Sequence, residues 1–516
     1  MSAGHTFTFV DLFAGVGGFH AAFDRLGGRC VYAAEIDDDA RAVYEEAWVK
    51  PDRNVRKWEY PFVGDINIDV PVVAEEELKS PEEDLPKFPD HDVLAAGFPC
   101  QAFSKSGHQK GVLDATRGTL FYNILRIIRA KKPKIVFLEN VRNLAGPRHK
   151  DTTFKAIVES LESFGYVISH APTIISPHRI SPAEGGTPQV RERIYILAIR
   201  RDMLGHPPGD DLAPVAPFAG FDYQGWDPSL WQIGETELAL YRDEPVKSVI
   251  LPEGHVANFD RYKVTDPDLG IIETWDAFVR QVVATGSMKK GDGVRRLPGH
   301  PIWYRLATEP GWFEAQSLEA DENDQEWKHD FLRKNAQFLV DFKDQREVTL
   351  DKSDIRNFKP SRQKFEWQAQ DAMSLSECLI QMRPSGIRVK KATYAPALVA
   401  INQTPIYGPK MRRITPVEAA RLQGFPAVVS RAMDVAGRGD PASYKQLGNA
   451  VHVGAVQFAL ARFMEHFEKQ GLHPELEPLV AACQQSIAGR TQQHDQPALD
   501  LGPAPADPVR TAADAA

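Results

Sequence analysis

Cys100 follows a proline at the end of the apolar run Val93-Leu94-Ala95-Ala96-Gly97-Phe98-Pro99-Cys100. Proline fixes its own φ and biases its neighbour toward extended backbone, so a thiol mounted there is held at a defined position and could serve as a nucleophile. On this residue alone a buried, inert cysteine is the alternative. A carboxylate, Glu139, ends a second apolar run, Ile135-Val136-Phe137-Leu138, and would sit at the same sheet edge as Cys100. Arg191 and Arg193 in Gln189-Val190-Arg191-Glu192-Arg193 precede a third such run. Alternate residues of a strand share a face, so two guanidiniums are aimed together.

A second group of residues has the pattern of a nucleoside site. Phe9-Val10-Asp11-Leu12-Phe13-Ala14-Gly15-Val16-Gly17-Gly18 reads as strand, glycine turn and helix start, without the full G-x-G-x-x-G dinucleotide pattern. Gly15 and Gly17 let the backbone turn tightly and approach a ligand. Glu35 closes the next apolar run, where its carboxylate can take both hydroxyls of a ribose, and Asp65 in Gly64-Asp65-Ile66 could accept an adenine amino proton. Two strand-end acids beside the turn suit an adenosine ligand that carries no phosphate. That favours S-adenosylmethionine over NAD or ATP.

These residues need a rigid frame, and the first two hundred supply one by alternating apolar or β-branched runs with segments of 3.6-residue periodicity. This is the signature of a doubly wound α/β sheet. Strands are predicted at 6–12, 30–35, 93–96, 135–139 and 194–199, with helices at 18–26, 38–48, 120–130 and 153–164. A Pro- and Glu-rich stretch over 69–89 reads as a surface insertion. From about 201 the alternation stops, and it returns after 412 with a helix at 416–422 and another at 451–466. The expected division is 1–204 with 406–482 as a catalytic and cofactor-binding domain, 205–405 as a separate domain, and a disordered tail over 483–516 rich in Ala, Pro, Gln and Asp.

The chain has 516 residues, 43% hydrophobic and 25% charged, which is ordinary for a soluble globular protein of two or more domains. Its four cysteines are scattered without paired spacing, arguing against a zinc site or a disulfide framework, so no metal is expected. Neither a secretory leader nor a membrane span is expected. The net charge of −9 averages over unequal regions: residues 101–200 carry 16 basic against 7 acidic side chains, and residues 379–413 carry seven basic and no acidic ones. Such segments could form a phosphate-facing surface; solvated basic faces are the alternative.

In chain order, Asp11–Gly18, Glu35, Gly64-Asp65-Ile66, Phe98-Pro99-Cys100-Gln101, Arg117-Gly118-Thr119-Leu120-Phe121, Glu139-Asn140-Val141, Gln189–Arg193, Arg413–Glu418 with Leu422–Pro426, and Lys445–Ala450 resemble the bacterial DNA (cytosine-5)-methyltransferases. The resemblance implies a Rossmann-like methyltransferase sheet with a target-recognition domain over 205–405. It further implies methylation at C5 of a cytosine flipped out of a specific double-stranded DNA sequence, through a covalent bond from Cys100 to C6. By resemblance, Glu139 engages N3 and the exocyclic amine, Arg193 contacts O2, and Arg191 supports the Cys100 loop. Phe13 lies against the adenine, Glu35 on the ribose and Asp65 at the adenine amine. Ile36 and Ile66 are apolar walls, Ile36 standing where tryptophan is frequent, and Asn449 is near the methionine part. Gln101 and Ser104 belong to the loop that closes over DNA. Arg383, Arg388, Lys390 and Lys391 suit contact with the DNA backbone. A cognate restriction endonuclease or other defence proteins as partners, monomeric action and a cytoplasmic, nucleoid-associated location are the family expectations. A tRNA cytosine-5 methyltransferase is the nearest rival, disfavoured by the large recognition region and by the lack of a Cys-Phe-Thr tripeptide; an inactive DNA-binding scaffold is the other.

Overall fold

The computed structural model describes residues 5–50, 62–71, 85, 88–98, 119–169, 172–204, 245–285, 288–290, 293–295, 297–298, 300–303, 330, 333–335, 337, 355–400, 404–469 and 471–493. Cys100, Gln101 and Ser104 lie outside them, as does most of the 69–89 segment. The chain divides into a unit built from Met1–Leu240, Ala397–Ile401 and Ala419–Asp500 and another from Tyr241–Pro396, Asn402–Glu418 and Leu501–Ala516. The expected boundaries at 205 and 405 differ from this division. A short strand at Arg412–Arg413 still belongs to the second unit's sheet, and Arg412 is locked to Glu418.

In the first unit, strands β1 (Phe7–Leu12), β2 (Gly28–Ala34), β3 (Phe62–Val63), β4 (Val93–Ala96), β5 (Ile135–Val141), β6 (Tyr166–Ile168), β7 (Thr173–Ile175), β8 (Gln189–Val190) and β9 (Arg193–Arg200) alternate with helices. Eight of them form a sheet in the order β3-β2-β1-β4-β5-β9-β6, with β7 also on β9. All four residues of β4 are buried, because helices cover both faces of a parallel sheet and leave no solvated side. The chain moves from β1 to β2 on one side and to β4 on the other, so the order reverses at β1. A ligand crevice is expected there, at the carboxyl ends of the strands.

Strand β9 is antiparallel to β5, pairing Arg193 with Val141 and Tyr195 with Glu139. An antiparallel strand enters the sheet at the edge where its parallel neighbours leave it, and this delivers the arginines to the edge that carries Glu139. Helices α1 (Gly18–Asp24), α2 (Asp38–Tyr44), α3 (Thr119–Lys131) and α4 (Lys155–Ser163) form the connections. Helix α3 buries Phe121, Ile124, Leu125, Ile127 and Ile128 on one stripe, and Arg129 and Lys131 in its last turn complement its dipole. Helix α2 is capped by the Asp37 carboxylate, which accepts from the N–H groups of Asp39 and Ala40. It widens after Tyr44 into a π-helical turn, Glu45–Val49, rather than running regularly to Trp48 as predicted. The helix Glu477–Gln493 extends into the segment expected to be a disordered tail, anchored by buried Leu479, Val480 and Cys483.

The second unit contains a six-stranded sheet in the order Ile302–Trp303, Lys364–Gln368, Gly386–Lys391, Cys378–Arg383, Ile406–Tyr407, Arg412–Arg413. Its apolar face carries Phe365, Trp367, Ile380, Ile387 and Val389, clustered with Trp275, Phe278, Val279 and Val282 of the helix Asp266–Thr285. Trp275 stacks on Phe365 with ring centres 4.4 Å apart. Among the described residues no helix is long and apolar enough to cross a membrane, and no group of three His, Cys, Asp or Glu side chains could hold a metal.

Candidate active site

A cavity of about 460 Å³ opens at the carboxyl ends of β1, β2, β4 and β5, where Phe13, Glu35, Gly97 and Glu139 line it together. At its β1 end the backbone is bent hard: Phe13 has φ 56°, Gly15 φ 55° and Gly17 φ 87°. A left-handed conformation is rare for a bulky residue and costs of order 1–3 kcal/mol, so the fold holds Phe13 there against its preference. A side chain at Gly17 would collide with Trp48, whose Nε1 donates to the Val16 carbonyl at 3.1 Å.

Glu35 holds the turn from the next strand. Its Oε2 accepts from the Gly15 N–H at 2.7 Å and its Oε1 from the Asp37 N–H at 2.8 Å. Each oxygen keeps a lone pair for a ligand hydroxyl. Burial raises the Glu35 pKa, and the two N–H donors oppose that rise. Asp65 uses Oδ1 for the Asn67 backbone and side-chain amides, and Oδ2 has no partner among the described residues. The cations on the lining are all engaged: Lys445 Nζ lies 2.7 Å from Asp37 Oδ2, Arg193 pairs with Glu139, and Arg191 binds backbone carbonyls. Among the described residues no cation of the lining is left for a phosphate.

At the other end Glu139 is 7% exposed, with Oε1 3.3 Å from Arg193 Nε. Burial raises its pKa, while Arg193 and Arg191 pull it down; the net direction is upward, toward a protonated carboxyl. Neighbouring Asn140 donates to the Phe98 carbonyl at 3.1 Å and so fixes the chain just before Pro99 and Cys100. From Phe98, which lines the cavity, Cys100 is two residues on, about 7 Å of chain at full extension. The C-5 cytosine-specific DNA methylase family matches this chain over residues 7–210 and 310–465.

The chain belongs to this family. It is 38% identical to the type II methyltransferase M.AluI of Cellulosimicrobium cellulans, over 88% of this chain and 91% of that one. It is 40% identical to the type II methyltransferase M.HhaI of Haemophilus parahaemolyticus over 196 residues, 38% of this chain and 50% of that one. The protein is a DNA cytosine-5 methyltransferase, and its relatives favour DNA over tRNA as substrate.

Several residues named from the sequence lie together in the methylase's cavity: Phe13, Gly15, Glu35, Ile36, Asp65, Ile66, Glu139, Arg191, Arg193 and Asn449. Two do not line it. Asp11 is wholly buried behind the turn, where Oδ2 accepts from the His20 N–H at 3.3 Å and burial holds its pKa well above the ordinary carboxylate value. Gly17 caps α1 against Trp48. Arg191 is 2% exposed and donates to the carbonyls of Leu398, Gly448 and Ala450 at 3.1, 3.0 and 2.8 Å, so it clasps the turn that presents Asn449. Burial and the charge of Arg193 lower its pKa to about 9. The expected role for it was support of the Cys100 loop, which lies outside the described residues. The sequence analysis missed Asp37 and gave no role to Asn140 and Lys445, though both stand in its motifs. The helix-cap position of Asp37 was a local signal; its pairing with Lys445 joins residues 408 apart and left none.

Proposed function

We propose that this methylase transfers a methyl group to C5 of a cytosine flipped out of a specific duplex sequence, with Cys100 as nucleophile. The observation that carries the reading is the pair of buried Glu139 and half-buried Arg193, in one cavity with Glu35, Asp65 and Phe98, of which Phe98 stands two residues before Cys100 in the chain. Cytosine C5 is a weak nucleophile, and thiolate addition at C6 gives it enamine character. Glu139, with its raised pKa, hydrogen-bonds or protonates N3 and holds the exocyclic amine, withdrawing charge as the thiolate attacks. Arg193 contacts O2 and keeps the Glu139 carboxyl oriented. Loss of the C5 proton and elimination of Cys100 then regenerate the enzyme.

The cofactor is S-adenosylmethionine, which when bound supplies an electrophilic methyl group. Glu35 accepts from its ribose hydroxyls, Asp65 Oδ2 from the adenine amine, Phe13 and Ile36 flank the ring, and Asn449 meets the methionine end. The second unit serves target recognition, Gln101 and Ser104 contact DNA, and the base is extruded at a cost of a few kcal/mol. As part of a restriction-modification or other phage-defence system, the protein acts in the cytoplasm on the nucleoid, as a monomer, beside a cognate endonuclease.

Incubation with methyl-labelled S-adenosylmethionine and either duplex DNA or tRNA tests the reading. Label enters DNA, and Cys100→Ala abolishes incorporation while cofactor affinity stays near wild type. Turnover by Cys100→Ala at the wild-type rate removes Cys100 as nucleophile, and label in tRNA alone rejects the substrate.

A further inference from the structure

The second unit's sheet has a face opposite to its apolar core. Registers Glu366 to Arg388, Gln368 to Lys390, Gln381 to Arg388 and Arg383 to Gly386 place Lys364, Glu366, Arg383, Gln381, Arg388 and Lys390 on that face. Lys391, one residue out of phase, belongs to the other face and pairs with Asp371, so it leaves the basic group expected from the sequence.

Among the described residues on this face, four cations stand against one carboxylate, Glu366. Its Oε2 accepts from Arg383 Nη2 at 2.6 Å, and its Oε1 lies 3.0 Å from Arg388 Nε. The Arg388 side chain is 30% exposed and its two Nη groups take no partner among the described residues; nor does Lys390 Nζ. Among the described residues Lys364 has only the Trp303 ring, 5.2 Å away. Burial lowers the Lys390 pKa, and the neighbouring Arg388 lowers it further. Among the described residues the half-buried face thus carries three more positive than negative charges, an excess that is costly for the free protein and that a polyanion relieves.

The geometry selects more than charge. Glu366 pairs with the Arg388 guanidinium on its Nε side, and the Nη edge, two parallel donors, has no partner among the described residues. Two parallel donors match O6 and N7 of a guanine, and equally two oxygens of a phosphate. Gln381, directly across on the neighbouring strand, is 8% exposed and has no side-chain partner among the described residues. Its amide offers both a donor and an acceptor. A phosphate uses only donors, whereas a base pair edge presents both kinds of group.

We propose that this face binds DNA and that Arg388, held by Glu366, determines specificity by reading a guanine edge of the target site, with Gln381 on the adjoining base and Lys390 and Lys364 on phosphate. The proposal rests on the reading of the protein as a sequence-specific DNA methyltransferase.

The test uses the full chain. Bisulfite sequencing of DNA from expressing cells gives the methylated site, and kcat/KM is then measured on duplexes carrying 7-deazaguanine at each guanine of that site in turn. For the wild type, one position loses about 10- to 100-fold, the worth of a bidentate base contact. Arg388→Ala loses a similar factor on the unmodified duplex and becomes indifferent to 7-deazaguanine at that position. Arg388→Lys does not restore it, and Glu366→Gln shows a partial loss at the same position. Affinity for S-adenosylhomocysteine, bound in the other unit, and the melting temperature serve as controls for folding. An equal loss on every duplex, with a salt dependence shallower by about one counterion, makes Arg388 a phosphate contact and overturns the specificity claim. An unchanged kcat/KM for Arg388→Ala overturns the surface itself. A wild-type protein that methylates no duplex rejects the methyltransferase reading instead, so the two failures are distinct.

Discussion

Arg193 Nε stands 3.3 Å from Oε1 of Glu139, in a pair that leaves 18% and 10% of the two side chains exposed. The antiparallel register of β5 and β9 creates the pair, because Glu139 near the end of one strand lies beside the start of the other. Despite two nearby guanidiniums the carboxyl is raised, since its burial outweighs their attraction.

Activity that depends on a protonated Glu139 falls as pH rises through the raised pKa. The profile of kcat/KM descends on an alkaline limb, and Glu139→Gln lowers the rate about 10²- to 10⁴-fold and loses that limb. The folded state holds this proton more tightly than the unfolded chain. Stability attributable to Glu139 is therefore present at low pH and lost as pH climbs from the ordinary carboxylate value through the raised one. Persistence of the same limb in Glu139→Gln assigns it to another group.

Glu35→Gln replaces one oxygen by an amino group, so either the Gly15 or the Asp37 N–H then faces a donor. Hydrogen bonds to a charged partner contribute about 1.5–3 kcal/mol, and the dissociation constant for S-adenosylhomocysteine is expected to rise about 10- to 100-fold in titration calorimetry. Unaltered affinity would mean that Glu35 serves the turn and not the ligand.

Arg191→Met strands three buried carbonyls, those of Leu398, Gly448 and Ala450. The loss is expected at about 3–5 kcal/mol, read as a lower midpoint in denaturant, with Arg191→Lys intermediate. A wild-type midpoint for the methionine variant shows that the clasp is dispensable.

Arg412 and Glu418 are both wholly buried, and Glu418 also accepts from the Leu251 and Thr415 N–H groups. Arg412→Met and Glu418→Leu each leave an unpaired buried charge at about 3–5 kcal/mol, and the double variant costs less than their sum. Additive losses in a thermal unfolding cycle would refute the coupling.

Local pattern carried much of this architecture. β4 occupies Val93–Ala96 and a helix occupies Pro416–Leu422, as their composition predicts, because a buried strand and a proline-opened helix are specified by adjacent residues. The π turn after Tyr44 was not legible, since it depends on Trp48 packing beneath a glycine 31 positions earlier in the chain. Asp11 belongs to the glycine-turn motif, yet strand alternation turns it away from the cavity toward His20. The clasp of Arg191 on the Asn449 turn joins segments more than 250 residues apart and has no sequence signal.

Phe13 bears the cost of its left-handed backbone so that its ring can line the cavity. Glycine at this position would relieve about 1–2 kcal/mol per residue of conformational strain and remove the ring. Because that ring also packs on the hydrophobic core, the exchange sets backbone strain against lost burial, and any stabilised version of this enzyme must be chosen on turnover as well as on melting.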